Sequence, residues 1–308
     1  MGSSPMVTTN SASGLRRLLC LAGACAMTLA LAAGAIVLPA VPAHAADPIT
    51  AADQSYFAYY HLDQARAKGY TGKGVTIALI DGEVDTTVPE LAGATIIDKS
   101  PCTVTSSPFS KTHGTAIASL LVSKTYGVAP DATLLTYRTS LADDGDESGN
   151  ECTFRNGNPI EDPTSLINRA ISDGAQIISI SSSDENFDDA TKWAIARADA
   201  LGVIVVSPMG NDAKDETNNG YSKWSGVVGV GAIDTTGKVA DYSSWGQGTT
   251  TAAVGGPIIV RNYETGNKAA ADGTSYSTPL IAGFLALAKQ KWPNATNNQL
   301  LQLLTKTA

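Results

Sequence analysis

Short apolar runs alternate with helical stretches along the chain from Gly74 onward. Val75-Thr76-Ile77-Ala78-Leu79-Ile80 is a β-rich run that stops at Asp81. Thr133 to Tyr137, Gln176 to Ile180, Val203 to Val206 and Val227 to Ile233 have the same strand-like character. Between them, Thr115 to Val122, Ser165 to Ser172 and Asp189 to Leu201 have helical character, and Gly174 and Gly202 stop the last two. A long apolar helix is predicted over Pro279 to Lys291 and a shorter one over Asn297 to Leu304. Strands that are apolar throughout are buried on both faces. Alternating with helices, they predict one α/β domain built on a mainly parallel central sheet. Functional groups in such sheets gather just beyond the carboxyl ends of the strands. Asp81 and Asn211 stand at two of those ends.

The first 45 residues follow another pattern. Arg16 and Arg17 carry the only charges, an apolar run of 21 residues from Leu18 to Leu38 follows, and Pro39-Ala40-Val41-Pro42-Ala43-His44-Ala45 closes the segment. A basic start, an apolar middle and Ala43-x-Ala45 describe a secretory signal peptide cleaved after Ala45. The alternative is an uncleaved membrane anchor, because such a run is long enough to span a bilayer. No second long apolar stretch follows, so no stable membrane span is expected after cleavage.

Composition narrows the function. A chain of 308 residues, 43% hydrophobic and 16% charged, can bury a full core and is neither disordered nor a disulfide-stapled miniprotein. The formal net charge of −8 offers nucleic acid no bulk attraction, so none is expected as a partner. Of four cysteines, Cys102 and Cys152 remain after cleavage. Outside the cytoplasm such a pair is expected to form a disulfide, with two free thiols as the alternative.

Two histidines remain as well. His61 lies before the first core strand and reads as structural. His113, in Lys111-Thr112-His113-Gly114-Thr115, is the natural proton carrier for chemistry near neutral pH, or else a helix-end residue. Ser275, in Asp272-Gly273-Thr274-Ser275-Tyr276-Ser277-Thr278-Pro279, either caps the long helix or acts as a nucleophile. A serine needs a base to take its proton, a carboxylate to orient that base, and a donor for the developing oxyanion. Asp81, His113, Ser275 and Asn211 supply those four groups.

Their order and surroundings resemble the subtilisin-like serine peptidases, the subtilases, from about Gly69 to the end of the chain. His113-Gly114-Thr115 resembles the family's histidine motif, and Gly127-Val128-Ala129-Pro130-Asp131-Ala132 the segment after it. Gly210-Asn211 resembles the oxyanion motif, and Gly273-Thr274-Ser275 with Pro279 the nucleophile motif. The resemblance implies a three-layer α/β/α fold and endopeptidase activity on polypeptides. No cofactor is required for that chemistry, and a monomer is expected. It also implies that Asp81 orients His113, that His113 activates Ser275, and that Asn211 with the Ser275 backbone N–H holds the oxyanion. Ser181, Ser182 and Ser183 would form the strand that pairs with substrate. Ser207, Pro208, Met209 and Gly210 would line the first specificity pocket. The organisation expected is a signal peptide over 1–45, an N-terminal extension over 46–68 and a catalytic domain over 69–308. The chain stops before the family's usual closing segment, so the C-terminal end of that domain is left open.

Several residues depart from the family pattern. Asp81 is followed by Gly82-Glu83 where the family commonly has Thr or Ser and then Gly, and Glu83 is placed to raise the pKa of His113. Asp85 is a second candidate carboxylate. Tyr276 replaces the usual methionine, and Ser183 stands where Gly is frequent, crowding the cleft. No pro-domain fits between Ala46 and the core, so folding without one is expected. A short extension and a cysteine pair are also similar to the mycosins, which usually end in a membrane helix that this chain lacks. Residues 142–151 are densely acidic and form either a solvated loop or a cleft rim favouring basic residues upstream of the cut. Within them Asp144, Asp146, Ser148 and Asn150 allow a structural calcium. No Cys/His cluster suggests zinc. A catalytically silent subtilase fold acting as a binding module is the competing functional reading.

Overall fold

The computed structural model describes residues 47–101, 106–139, 141, 162–182, 189–217 and 220–307. The signal segment, Cys102, Cys152, Ser183 and the acidic stretch with its calcium candidates lie outside the described residues.

In chain order the elements are α1 (Ser55–Tyr59), α2 (Leu62–Ala67), β1 (Thr76–Asp81), β2 (Thr95–Asp98), α3 (Pro108–Val122), β3 (Thr133–Arg138), α4 (Pro163–Ser172), β4 (Ile177–Ile180), α5 (Asp189–Ala200), β5 (Ile204–Pro208), β6 (Val227–Ile233), β7 (Thr249–Val254), β8 (Ile258–Arg261), β9 (Lys268–Ala271), α6 (Thr274–Lys291) and α7 (Asn297–Thr307). Among the described residues, seven strands make one sheet in the order β2-β3-β1-β4-β5-β6-β7. Every neighbouring pair in it is parallel. β8 and β9 form a separate antiparallel hairpin.

The alternation of side chains along each strand divides the core in two. Ile77, Leu79, Leu134, Ile177, Ile204 and Val206 pack with α3 and α6 on one face. Ala78, Ile80, Leu135, Ile178, Val205 and the buried residues of α4 and α5 pack on the other. Helices on both faces of a parallel sheet make the three-layer α/β/α architecture expected from the continuous apolar strands. The same alternation places Asp81, two residues beyond Leu79, on the α3–α6 face.

The structure extends several elements beyond their sequence signals. α3 begins at Pro108 rather than near Thr115, because Ser107 caps it by accepting from the Ser110 N–H at 3.1 Å and Pro108 occupies its first turn. His113 therefore lies inside the helix and does not open it. α6 begins at Thr274, five residues before Pro279, so Ser275 is a first-turn residue and the cap is Gly273. Proline inside the helix removes one N–H donor, an interruption that α6 contains at Pro279. The peripheral strands β2 and β7 and the β8–β9 hairpin are too polar or too short to stand out in the sequence.

The described residues form one compact unit. Residues 47–68 are part of it. Tyr56 is fully buried and donates to the Tyr126 carbonyl at 2.9 Å, and Leu62 joins the α3–α6 core. His61 is exposed, in a left-handed conformation ahead of α2. Among the described residues no helix is long and apolar enough to cross a membrane.

Candidate active site

β1 ends at Asp81, whose side chain is fully buried. Its Oδ1 accepts from the Gly82 N–H at 2.7 Å and lies 2.8 Å from His113 Nδ1. With a carboxylate on Nδ1, that nitrogen carries the proton and Nε2 is left as the base. Asp81 Oδ2 is buried without a hydrogen-bond partner among the described residues. Burial acts most strongly on His113 and pushes its pKa down. The charge of Asp81 and the hydrogen bond to it together outweigh burial, so the pKa ends above its ordinary value. Two rings flank the imidazole: Phe109 stacks with centroids 6.1 Å apart, and Tyr276 tilts against it at 5.5 Å.

Asp85 and Glu83 are engaged elsewhere. Asp85 accepts from the Tyr263 hydroxyl at 2.8 Å and lies 3.4 Å from Lys111 Nζ. Glu83 pairs with Lys111 and with Arg138, each at 3.6 Å. The raised pKa of His113 thus comes from Asp81 and not, as the sequence suggested, from Glu83.

Asn211 follows β5, and Ser275 lies in the first turn of α6. Thr274 joins them. Its backbone N–H and its hydroxyl both donate to Asn211 Oδ1, at 2.8 and 2.9 Å, and the hydroxyl accepts from the Gly210 N–H at 3.2 Å. With Oδ1 saturated, the amide can only present Nδ2 outward. Asn211 Nδ2 and Ser275 Oγ each lie 3.3 Å from the point where a Cβ on Gly273 would stand. Any larger residue at 273 would press on both groups. The unpaired N–H groups of a helix start add positive potential at the same place.

One cleft of about 440 Å³ collects His113, Asn211, Ser275, Thr274, Tyr276 and Phe109. Ser181, Ser182, Pro208, Met209 and Gly210 also line it, as does Leu141. Ser207 does not. It follows Val205 in alternation, so its side chain is fully buried toward the α4–α5 face. Of the four residues expected to line the first specificity pocket, strand alternation leaves Ser207 outside the cleft wall formed by Pro208, Met209 and Gly210. Phe109 lies four residues before His113 and thus beside it on the helix, a relationship that shows in the sequence only once the helix is started at Pro108. Asp272, at the head of the stretch that holds Ser275, lines the cleft too, as does Glu216, which belongs to no motif. Among the described residues no group of three or more His, Cys, Asp or Glu side chains is arranged to hold a metal.

This arrangement can move a proton from a hydroxyl to an imidazole held by a carboxylate, and can stabilise an oxyanion with an amide and a helix N-terminus. The comparisons agree with that chemistry. The model of the subtilase family matches residues 72–308. A thermostable alkaline protease of Halalkalibacterium halodurans is 29% identical over 81% of the chain and 66% of its own length. Subtilisin E of Bacillus subtilis is 29% identical over 81% of the chain and 65% of its own length. The chain thus spans slightly less than two thirds of these relatives. Among solved structures, the prenylagaramide maturation protease PagA superposes with a TM-score of 0.62 at 26% identity, covering 77% of this chain and 84% of that one.

Proposed function

Since the chain belongs to the subtilase family, we propose that it is a secreted serine endopeptidase acting through Asp81, His113, Ser275 and Asn211. The observation that carries the reading is the buried Asp81–His113 contact of 2.8 Å, which shares a cleft with a helix-start serine and an amide whose donor end is fixed.

His113 Nε2 takes the Ser275 hydroxyl proton as Oγ bonds to the substrate carbonyl carbon. The carbonyl π electrons move to oxygen, where Asn211 Nδ2 and the Ser275 backbone N–H receive the charge. Asp81 steadies the imidazolium without taking its proton. Collapse breaks the carbon–nitrogen bond, and His113 returns its proton to the leaving amine. A water, deprotonated by His113, then releases the acyl group from Ser275. Ser181 and Ser182 supply the strand edge for the substrate backbone. Export follows from residues 1–45, with cleavage after Ala45, and Cys102 pairs with Cys152 in the mature chain.

Labelling the secreted chain with a fluorophosphonate, followed by intact mass, tests this reading. One adduct on wild type and none on Ser275→Ala supports it. A folded wild type that takes no adduct and cuts no peptide is a silent subtilase fold instead.

A further inference from the structure

We infer that Glu216 makes this cleft select substrates with lysine or arginine immediately before the cleaved bond. The inference rests on the peptidase reading above and adds the substrate class.

Glu216 lines the cleft although only 7% of its surface is exposed. Its stem is packed beside Gly210, with Cγ 3.8 Å from the point where a Cβ on Gly210 would stand. Gly210 immediately precedes Asn211, whose amide lines the same cleft as the Ser275 hydroxyl. The carbonyl under attack must be within reach of both groups from inside the cleft they share with Gly210 and Glu216, so the side chain of the residue bearing it extends along Gly210 toward Glu216. A carboxylate so far removed from water favours a hydrogen-bonding cation over any neutral group.

The partner of Glu216 in the free protein supports this assignment. Lys214 Nζ lies 3.2 Å from Glu216 Oε1 and 3.1 Å from Asp212 Oδ2, while the Lys214 side chain remains 55% exposed. An exposed, flexible ammonium is a replaceable counter-ion, since exposed ion pairs contribute little. Displaced from Glu216 by a substrate ammonium or guanidinium, it keeps Asp212. Asp212 and Asp272 also line the cleft, and no Lys or Arg does so among the described residues. An acidic substrate side chain would meet only like charge, and an apolar one would leave Glu216 with Lys214 alone. This site differs from the acidic stretch over 142–151, and it concerns the one residue that donates the scissile carbonyl.

The test is kcat/KM on matched peptides differing only in that residue: Lys, Arg, norleucine, Phe and Glu. Norleucine has nearly the shape of lysine without its charge. Lys and Arg are expected to exceed norleucine by about 10- to 100-fold, as for hydrogen bonds to a charged group. The Lys/norleucine ratio should collapse toward one in Glu216→Gln and rise in Lys214→Ala. If Glu216→Gln fails to fold, the wild-type series and Lys214→Ala still decide. An enzyme that labels at Ser275 yet prefers norleucine or Phe overturns the inference and leaves the peptidase reading standing. So does a Glu216→Gln enzyme that keeps the ratio. A folded chain that neither labels nor cuts overturns both.

Discussion

Gly114 stands against Gly82 so closely that a Cβ on Gly114 would come within 2.5 Å of the Gly82 carbonyl oxygen and 2.7 Å of that of Glu83. The approach is close on the other side too, because a Cβ on Gly82 would collide with the backbone carbonyl and hydroxyl of Ser110 on the same helix. Two missing side chains let α3 lie against the end of β1, and that approach brings His113 Nδ1 to Asp81. The glycine after Asp81, a departure from the usual family motif, is therefore required by the position of Ser110.

Restoring the commoner residue there should be harmful. Gly82→Ser is expected to destabilise the fold by about 1–3 kcal/mol through overpacking and to lower kcat by displacing Asp81 from His113. Thermal melting and peptide hydrolysis, measured together, check this. Unchanged Tm and kcat would mean that α3 has room the structure does not show.

Activity should rise with pH through a midpoint above about 6.5, because neutral His113 is the proposed base and its pKa is raised. The stability contribution has the opposite sign. The protonated His113–Asp81 pair stabilises the fold fully below the unfolded value near 6.5 and is lost as pH rises through the higher folded value. Asp81→Asn is expected to move the activity limb down and to lower kcat by about 10⁴. A pH–rate profile of both enzymes reads the limb, and melting across the same range reads the stability.

Asp85 has a separate acid window. Its burial, the largest influence, pushes its pKa up, but hydrogen bonds from Thr87 and Tyr263 and the charge of Lys111 bring it down to about 2. Its stabilising contribution is present above the ordinary value of 3.8 and is lost as pH falls toward about 2. Asp85→Asn should flatten that part of the melting curve while leaving the limb above 6.5 in place.

The oxyanion site offers a graded pair of variants. Asn211→Ala removes the donor and is expected to lower kcat by about a hundredfold or more with little change in KM. Thr274→Val keeps the backbone donor to Asn211 Oδ1 but removes the hydroxyl, so a smaller loss in kcat is expected. Equal losses would show that Thr274 does more than orient the amide. Ser275→Ala should lose on the order of a millionfold, as when the serine of subtilisin is removed.

The fold class and the four chemical groups were legible because each is a local pattern. Continuous apolar strands such as Ile177–Ile180 are dictated by burial on both faces, and Asp81, His113, Asn211 and Ser275 sit in short motifs whose chain order is itself informative. Elements with weak local signals were not legible. α3 and α6 start earlier than the pattern implied because caps and tertiary packing, not hydrophobic periodicity, set their ends.

What the sequence by itself determined is therefore the sheet-and-helix plan and the residue types on which the proposed chemistry rests. Tertiary structure alone decided which carboxylate serves His113. Asp81 is held 2.8 Å away, while Asp85 is bound to Tyr263 and Glu83 to Lys111 and Arg138. It also decided that Ser207 faces away from the cleft and that Glu216, five residues past Asn211 and in no motif, lines it. The reason is physical: a motif records neighbours along the chain, whereas charge pairing, close approach at glycine and the wall of a cleft depend on neighbours in space.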